Sequence, residues 1–397
     1  MSFQEALAKA RQLDAADPLR HCREWFDIPA DVVYFDGNSL GPLTFRAREQ
    51  LHTTIEYEWR ERLIRSWNEN WLDMPLRVGN KVARIIGAPT DSVICADNTS
   101  INLHKALEAA VRIQQSRNDG RNEIVVDINN FPTDIYIARS IAEQHGLTLV
   151  AVPADEIIAK ISERTSVVTA TQVDYRSAQI LDAQGITAAA HANGALMVWD
   201  LAHTAGAVPF DVTALNTDFA VGCGYKYLNG GPGAPAFIYV APRILNESSQ
   251  PLQGWWGHAE PFAFEVGFRP AEGIKRFLTG TANVLSMKAF EAAISVFEEV
   301  QMDDLRAKSI SLTSFMIDLY DQFLAPKGFS LGSPRDPQIR GSHVALGFAA
   351  GKELVDAMAA KGIVADFRPP DLLRFGCAPL YNSHEDVVTL VQHLAAV

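Results

Sequence analysis

The run Asp218-Phe-Ala-Val-Gly-Cys-Gly-Tyr-Lys-Tyr-Leu-Asn-Gly-Gly-Pro-Gly233 joins an apolar, β-prone stretch to a glycine-rich turn, with Lys226 at the junction. A lysine so placed is held near the interior, whereas lysines ordinarily keep their ammonium in water. An amine in low dielectric releases its proton more readily and becomes a nucleophile toward an aldehyde. Earlier in the chain a second apolar strand, Ala195-Leu-Met-Val-Trp-Asp200, ends in an acid. A lysine and an acid at the ends of two strands are the two anchors that an aldehyde-bearing ring cofactor needs.

Outward from this pair, short β-branched runs alternate with helical patterns closed by glycines. Strands are predicted over 93–96, 123–127, 147–152, 165–169 and 195–200, with helices over 101–110, 134–144, 155–161 and 186–192 between them. That alternation argues for βαβ crossovers and a mostly parallel sheet, and 234–240 reads as one further strand, antiparallel to the rest. Before it, 44–67 reads as one long helix and 75–86 as another that stops at Gly87. Near Ser286 the pattern changes to two long helices (286–300 and 305–323), a strand (342–348) and two further helices (352–361 and 385–395). The expected organisation is an α/β chain with an N-terminal helical segment (1–30) associated with the small domain. A large cofactor-binding domain would cover 31–285 and a smaller C-terminal α/β domain 286–397.

With 397 residues, 48% of them hydrophobic and 21% charged, the chain has the composition of a soluble globular protein. A formal charge of −12 without a dense Lys/Arg stripe argues against nucleic-acid or anionic-membrane binding. The amphipathic start lacks a signal-peptide core, and Cys22, Cys95, Cys223 and Cys377 are scattered, with no CxxC pair and no metal-ligand spacing. A reduced, cytoplasmic protein is expected.

Several residues join Lys226 and Asp200 as candidates. An acid beside a pyridine nitrogen keeps it protonated, so the ring draws electrons; the same acid also suits a turn or cap. His203 follows Asp200 closely and reads equally as an ordinary hydrogen-bonding residue. Thr99 and Ser100 open a helix, either as caps or as hydroxyls beside exposed N–H groups that suit a phosphate. Phe131, in Phe131-Pro-Thr-Asp134, is either core or a platform for a flat ring. Tyr225 has a phenol able to bond phosphate or carry protons. Arg374, amid apolar residues, calls for a carboxylate partner, internal or from a substrate.

The words Phe35-Asp-Gly-Asn-Ser-Leu-Gly-Pro42, Asn98-Thr-Ser-Ile-Asn-Leu-His104, Phe131-Pro-Thr-Asp134, Asp200-Leu-Ala-His-Thr-Ala-Gly206, Tyr225-Lys-Tyr-Leu-Asn-Gly230 and Gln253-Gly-Trp-Trp-Gly-His258, with Arg374 and Pro379-Leu-Tyr-Asn382, are similar to those of the kynureninase family. The resemblance runs from about residue 25 to the C-terminus. It implies fold-type I architecture in the class V aminotransferase-like group of pyridoxal phosphate enzymes. It further implies that Lys226 carries pyridoxal 5'-phosphate as a Schiff base and Asp200 pairs with the ring nitrogen. Phe131 would stack on the ring, with Asp134, His203 and Thr171 around it, and Thr99, Ser100 and Tyr225 would hold the phosphate. Trp255 and Thr281 would reach the phosphate from a second subunit of a homodimer, and Arg374 would bind the substrate carboxylate. Thr281 stands where some relatives carry Asn. The implied catalytic set is Lys226, Tyr225 and Asp200, without metal, and the implied reaction is hydrolytic Cβ–Cγ cleavage of L-kynurenine in tryptophan catabolism. Kynurenine and its 3-hydroxy derivative are both candidate substrates. The alternatives are another class V enzyme, a cysteine desulfurase using Cys377 or an aminotransferase, and a non-catalytic cofactor-binding protein.

Overall fold

The computed structural model describes residues 2–396. In chain order its helices and strands are α1 (Phe3–Ala16), β1 (Val33–Tyr34), α2 (Phe45–Thr53), α3 (Met74–Ile85), β2 (Val93–Ala96), α4 (Thr99–Arg117), β3 (Glu123–Asp127) and α5 (Pro132–His145). Then come β4 (Thr148–Val152), α6 (Ile157–Lys160), β5 (Thr165–Thr171), α7 (Ala183–Ala192), β6 (Leu196–Asp200), β7 (Phe219–Cys223), β8 (Ala236–Val240) and α8 (Pro242–Leu245). The last are α9 (Val284–Ile294), α10 (Met302–Leu319), β9 (Ser330–Leu331), β10 (His343–Gly347), α11 (Gly351–Ala359), β11 (Ile363–Val364), β12 (Asp366–Arg368), β13 (Leu372–Gly376) and α12 (His384–Leu394).

The main sheet has the order β2-β8-β7-β6-β5-β3-β4, and only β8 runs against the others. Every residue of β5, β6, β7 and β8 is buried, which is why these strands read as continuous apolar runs rather than alternating ones. The reversal at β8 follows from its connection. Residues 224–235 hold no crossover helix, so the chain turns back beside β7 instead of crossing the sheet. Lys226 lies on that turn.

A second, antiparallel sheet has the order β12-β13-β10-β9. Its apolar face meets α10, α11 and α12 in a separate core that includes Phe315, Leu346, Leu373, Phe375 and Val391, and α1 adds Ala6 and Ala10 to it. β1 pairs in parallel with β11, so residues 33–34 belong by hydrogen bonding to this C-terminal part. The loop that follows crosses back: Gly376 N donates to Phe35 O (2.7 Å) and Gly41 N donates to Tyr225 O (2.7 Å). A Cβ on Gly41 would lie 2.5 Å from the Lys226 carbonyl oxygen, so only glycine permits this approach.

The single helix expected over 44–67 is broken. α2 ends at Thr53, a π-helical turn covers Thr54–Trp59, Leu63 reverses the chain at φ 54°, and a second π-helical turn covers Trp67–Trp71. Glu58 is the cause. Its buried carboxylate accepts from Lys288 Nζ (2.9 Å), Asn70 Nδ2 (2.8 Å) and Trp71 Nε1 (2.6 Å), and its carbonyl accepts from Ser66 Oγ (2.5 Å). The chain wraps around the acid, a tertiary demand that overrides helical periodicity. The other long helices are also shorter than read: α9 tightens into a 3-10 turn at Ser295–Glu298, and α10 ends in a π-helical turn at Tyr320–Leu324.

Candidate active site

Strand ends of the parallel sheet supply the centre of the site, where open α/β sheets bind ligands. β5 and β6 end level, Thr171 opposite Asp200, which sets the Thr171 hydroxyl 3.4 Å from Asp200 Oδ2. The same hydroxyl lies 3.4 Å from Asp134 Oδ2 in the first turn of α5 and donates to Asn130 Oδ1. Asn130 Nδ2 in turn donates to Asp134 Oδ2 (3.0 Å), and Ala202 N donates to Asp200 Oδ1 (2.7 Å). Burial drives both carboxyl pKa values up. Asp134 rises well above the carboxylate range, pushed further by the charge of Asp200, whereas Lys226 works against the rise at Asp200. Burial thus drives both acids toward the neutral form, Asp134 the more strongly, and Lys226 is the cation that opposes the rise at Asp200.

Lys226 is half-buried, less enclosed than its sequence setting suggests. Its Nζ stands 3.4 Å from His203 Nε2 and 5.9 Å from the centre of the Tyr225 ring. Burial, then the charge of Lys226, holds the His203 pKa well below the usual histidine value, so the imidazole is neutral beside the lysine. Burial raises the Tyr225 pKa, so its phenol stays protonated.

Capping does not occupy Thr99 and Ser100. Asn98 caps α4, its Oδ1 accepting from Ile101 N (3.0 Å), and leaves both hydroxyls at the helix N-terminus for other work. Ser100 Oγ lies 2.8 Å from Thr133 Oγ1, so the starts of α4 and α5 converge. Phe131, just before α5, leaves 43% of its surface open, which is not core behaviour. Its ring meets Tyr175 edge-on at 5.3 Å, and the Tyr175 carbonyl accepts from Arg374 Nη1. Arg374 is buried, and its partner is the internal acid Asp366, bonded through both oxygens. Trp255 and Thr281 are exposed, and no hydrogen bond joins either to this cluster. Trp255 instead stacks with Trp67 at 6.3 Å.

Four residues to which the sequence reading gave no role belong here. Asn130 links Phe131 N, Thr171 and Asp134; Ser39 and Asp366 hold Arg374; and the His343 ring lies 6.0 Å from that of His203. Burial, then the charge of Arg374, pushes the His343 pKa down to about 3. Strand register brings in Asp366 and His343, and the loops after β1 and β3 bring in Ser39 and Asn130.

By fold the chain is a fold-type I α/β protein. It superposes with a TM-score of 0.81 on C-DES, solved as a variant with glycine covalently linked to its pyridoxal phosphate cofactor, at 19% identity over 94% of this chain and 98% of that one. The cysteine desulfurase CsdA of Escherichia coli gives 0.81 at 20% identity over 95% and 98%. The chain belongs to the kynureninase family. It is 45% identical to a kynureninase of Deinococcus radiodurans, over 98% of this chain and 96% of that one, and 43% identical to one of Pseudomonas fluorescens, over 97% and 94%. Residues 305–394 match the family model described as the kynureninase C-terminal domain.

Proposed function

We infer that the chain binds pyridoxal 5'-phosphate and hydrolyses the Cβ–Cγ bond of L-kynurenine, giving anthranilate and L-alanine. The observation that carries the reading is the convergence of Lys226 and Arg374 on His203, and of Lys226 on Asp200, in a chain that matches kynureninases over nearly its full length. The residues suit the cofactor. Asp200, a buried acid, would pair with the ring nitrogen, the open Phe131 ring would cover the ring face, and the Thr99 and Ser100 hydroxyls, neither of them used as the helix cap, would take the phosphate. When bound, pyridoxal phosphate supplies an aldehyde for the substrate amine and a ring that draws electrons from the substrate carbon.

In this reading Lys226 Nζ anchors the cofactor and then takes the proton from the substrate Cα. Asp200 would hold the ring nitrogen, supported by Thr171 and by Asp134, whose pKa burial raises well above the carboxylate range. His203 stays neutral, so its imidazole sets no second positive charge beside the lysine. Tyr225 keeps its phenolic proton, joins Thr99 and Ser100 at the phosphate, and gives that proton to the alanine Cβ as the Cβ–Cγ bond breaks, while water adds to the aryl carbonyl carbon and leaves with it as the anthranilate carboxyl, its released proton restoring the phenol. Arg374 takes the α-carboxylate.

We also assign a second copy of the chain to the face formed by Trp59, Leu63, Ile64 and Leu285. This face bears a groove of about 630 Å³, and Ile64 is 78% exposed. Trp255 and Thr281 would complete the partner's phosphate site from there. Among the described residues no helix is long and apolar enough to cross a membrane.

A desulfurase reading lacks its nucleophile, because Cys377 is buried and burial pushes its thiol up to about 12. The test is to mix the cofactor-loaded protein with L-kynurenine and with 3-hydroxykynurenine and to quantify the aryl product and alanine. Equal release of both is expected. A Lys226→Ala variant should neither turn over nor hold the cofactor covalently. Normal turnover in that variant, or no aryl product from either substrate, overturns the reading.

A further inference from the structure

Arg374 is 1% exposed and already uses four of the five N–H donors of a guanidinium. Nε donates to Asp366 Oδ1 (2.8 Å), Nη2 to Asp366 Oδ2 and to Ser39 Oγ (3.2 Å), and Nη1 to the Tyr175 carbonyl. Asp366 faces Arg374 directly across the β12–β13 ladder, so the contact is built into the strand register. The acid is itself fixed, accepting from Ser39 Oγ (2.8 Å) and Arg368 Nη2 (2.8 Å).

This arrangement opposes the task assigned to Arg374. An acid bonded to a carboxylate-binding arginine repels the incoming anion and lowers its affinity unless it supplies something else. What it supplies is orientation. A guanidinium is planar, so a carboxylate on its Nε edge fixes the plane and the aim of the one N–H left, on Nη1. Ser39 extends the fixation: its loop also holds the Lys226 turn through Gly41 N and Tyr225 O (2.7 Å), so the arginine and the lysine share one frame.

We propose that Asp366 is a positioning residue that orients Arg374 for the substrate α-carboxylate at the expense of net charge attraction. The proposal rests on the reading of Arg374 given above. It makes opposite predictions for Asp366→Asn according to which effect wins. If orientation wins, KM for L-kynurenine rises about 10-fold or more while kcat stays within about threefold; if charge wins, KM falls.

A binding measurement keeps this test independent of turnover. Dissociation constants of L-alanine and of ethylamine, the same amine without the carboxylate, are read from the visible absorbance of the cofactor-loaded protein. In Asp366→Asn the alanine constant should rise about 10-fold and the ethylamine constant should not change. Equal weakening of both ligands, or alanine binding as tight as in the parent, overturns the proposal. Should Asp366→Asn fail to fold, Asp366→Glu keeps the charge and displaces the fork, and the same selective loss is expected at smaller size; an unselective loss or none at all overturns it. A parent protein that discriminates alanine from ethylamine yet releases no aryl product refutes the kynurenine reading alone.

Discussion

Replacing Glu58 with Leu tests whether one buried charge folds the hairpin between α2 and α3. Glu58 and Lys288 lie 2.9 Å apart with side chains only 7% and 3% exposed, and Asn70 and Trp71 supply two more donors to the acid. Removing one partner of such a pair leaves an uncompensated ammonium in the interior, at a cost of about 3–5 kcal/mol. Removing both charges is cheaper, because desolvation of the ions disappears with their attraction. The Glu58→Leu, Lys288→Met double variant should therefore stand within about 2 kcal/mol of the parent. Urea unfolding of the four proteins gives the free energies from midpoint and slope, and the cycle gives the coupling. A single variant that loses less than about 1 kcal/mol, or a double variant that loses the sum of the two singles, would refute the reasoning.

Two further outcomes are expected. Cys377→Ser should leave aryl-product release unchanged, because the thiol is buried and protonated; loss of activity would return that cysteine to the chemistry. His343 has a folded pKa of about 3 against 6.5 when free, so the unfolded chain takes up a proton that the folded one refuses. Its stability contribution is complete above pH 6.5 and drains away as pH falls toward 3, by about 1.4 kcal/mol per pH unit. Urea midpoints at pH 7.5 and pH 5 should therefore differ by less in His343→Gln than in the parent, and an unchanged difference would rule out His343 as the source.

Local chemistry alone determined a good part of this protein. The apolar runs ending at Asp200 and before Lys226 are central strands because strands covered on both faces have no polar positions to alternate with. Asp-Asn-Thr-Ser at 97–100 marks a helix start because an Asx side chain satisfies an orphan N–H, though Asn98, and not its neighbours, does so. The glycine-rich turn after Lys226 returns the chain as β8, antiparallel as read.

What the tertiary structure decided has a common physical cause: partners distant in sequence. Glu58 breaks a helix that its neighbours would have continued, because Lys288 waits in the core. Asp366 acquires meaning only when strand register sets it opposite Arg374, Ser39 only when its loop reaches the same arginine, and Asn130 only when the fold brings Thr171 to it. Arg374 announced a carboxylate partner in the sequence, since a buried guanidinium must have one. Only the folded chain could say that the partner already present is its own.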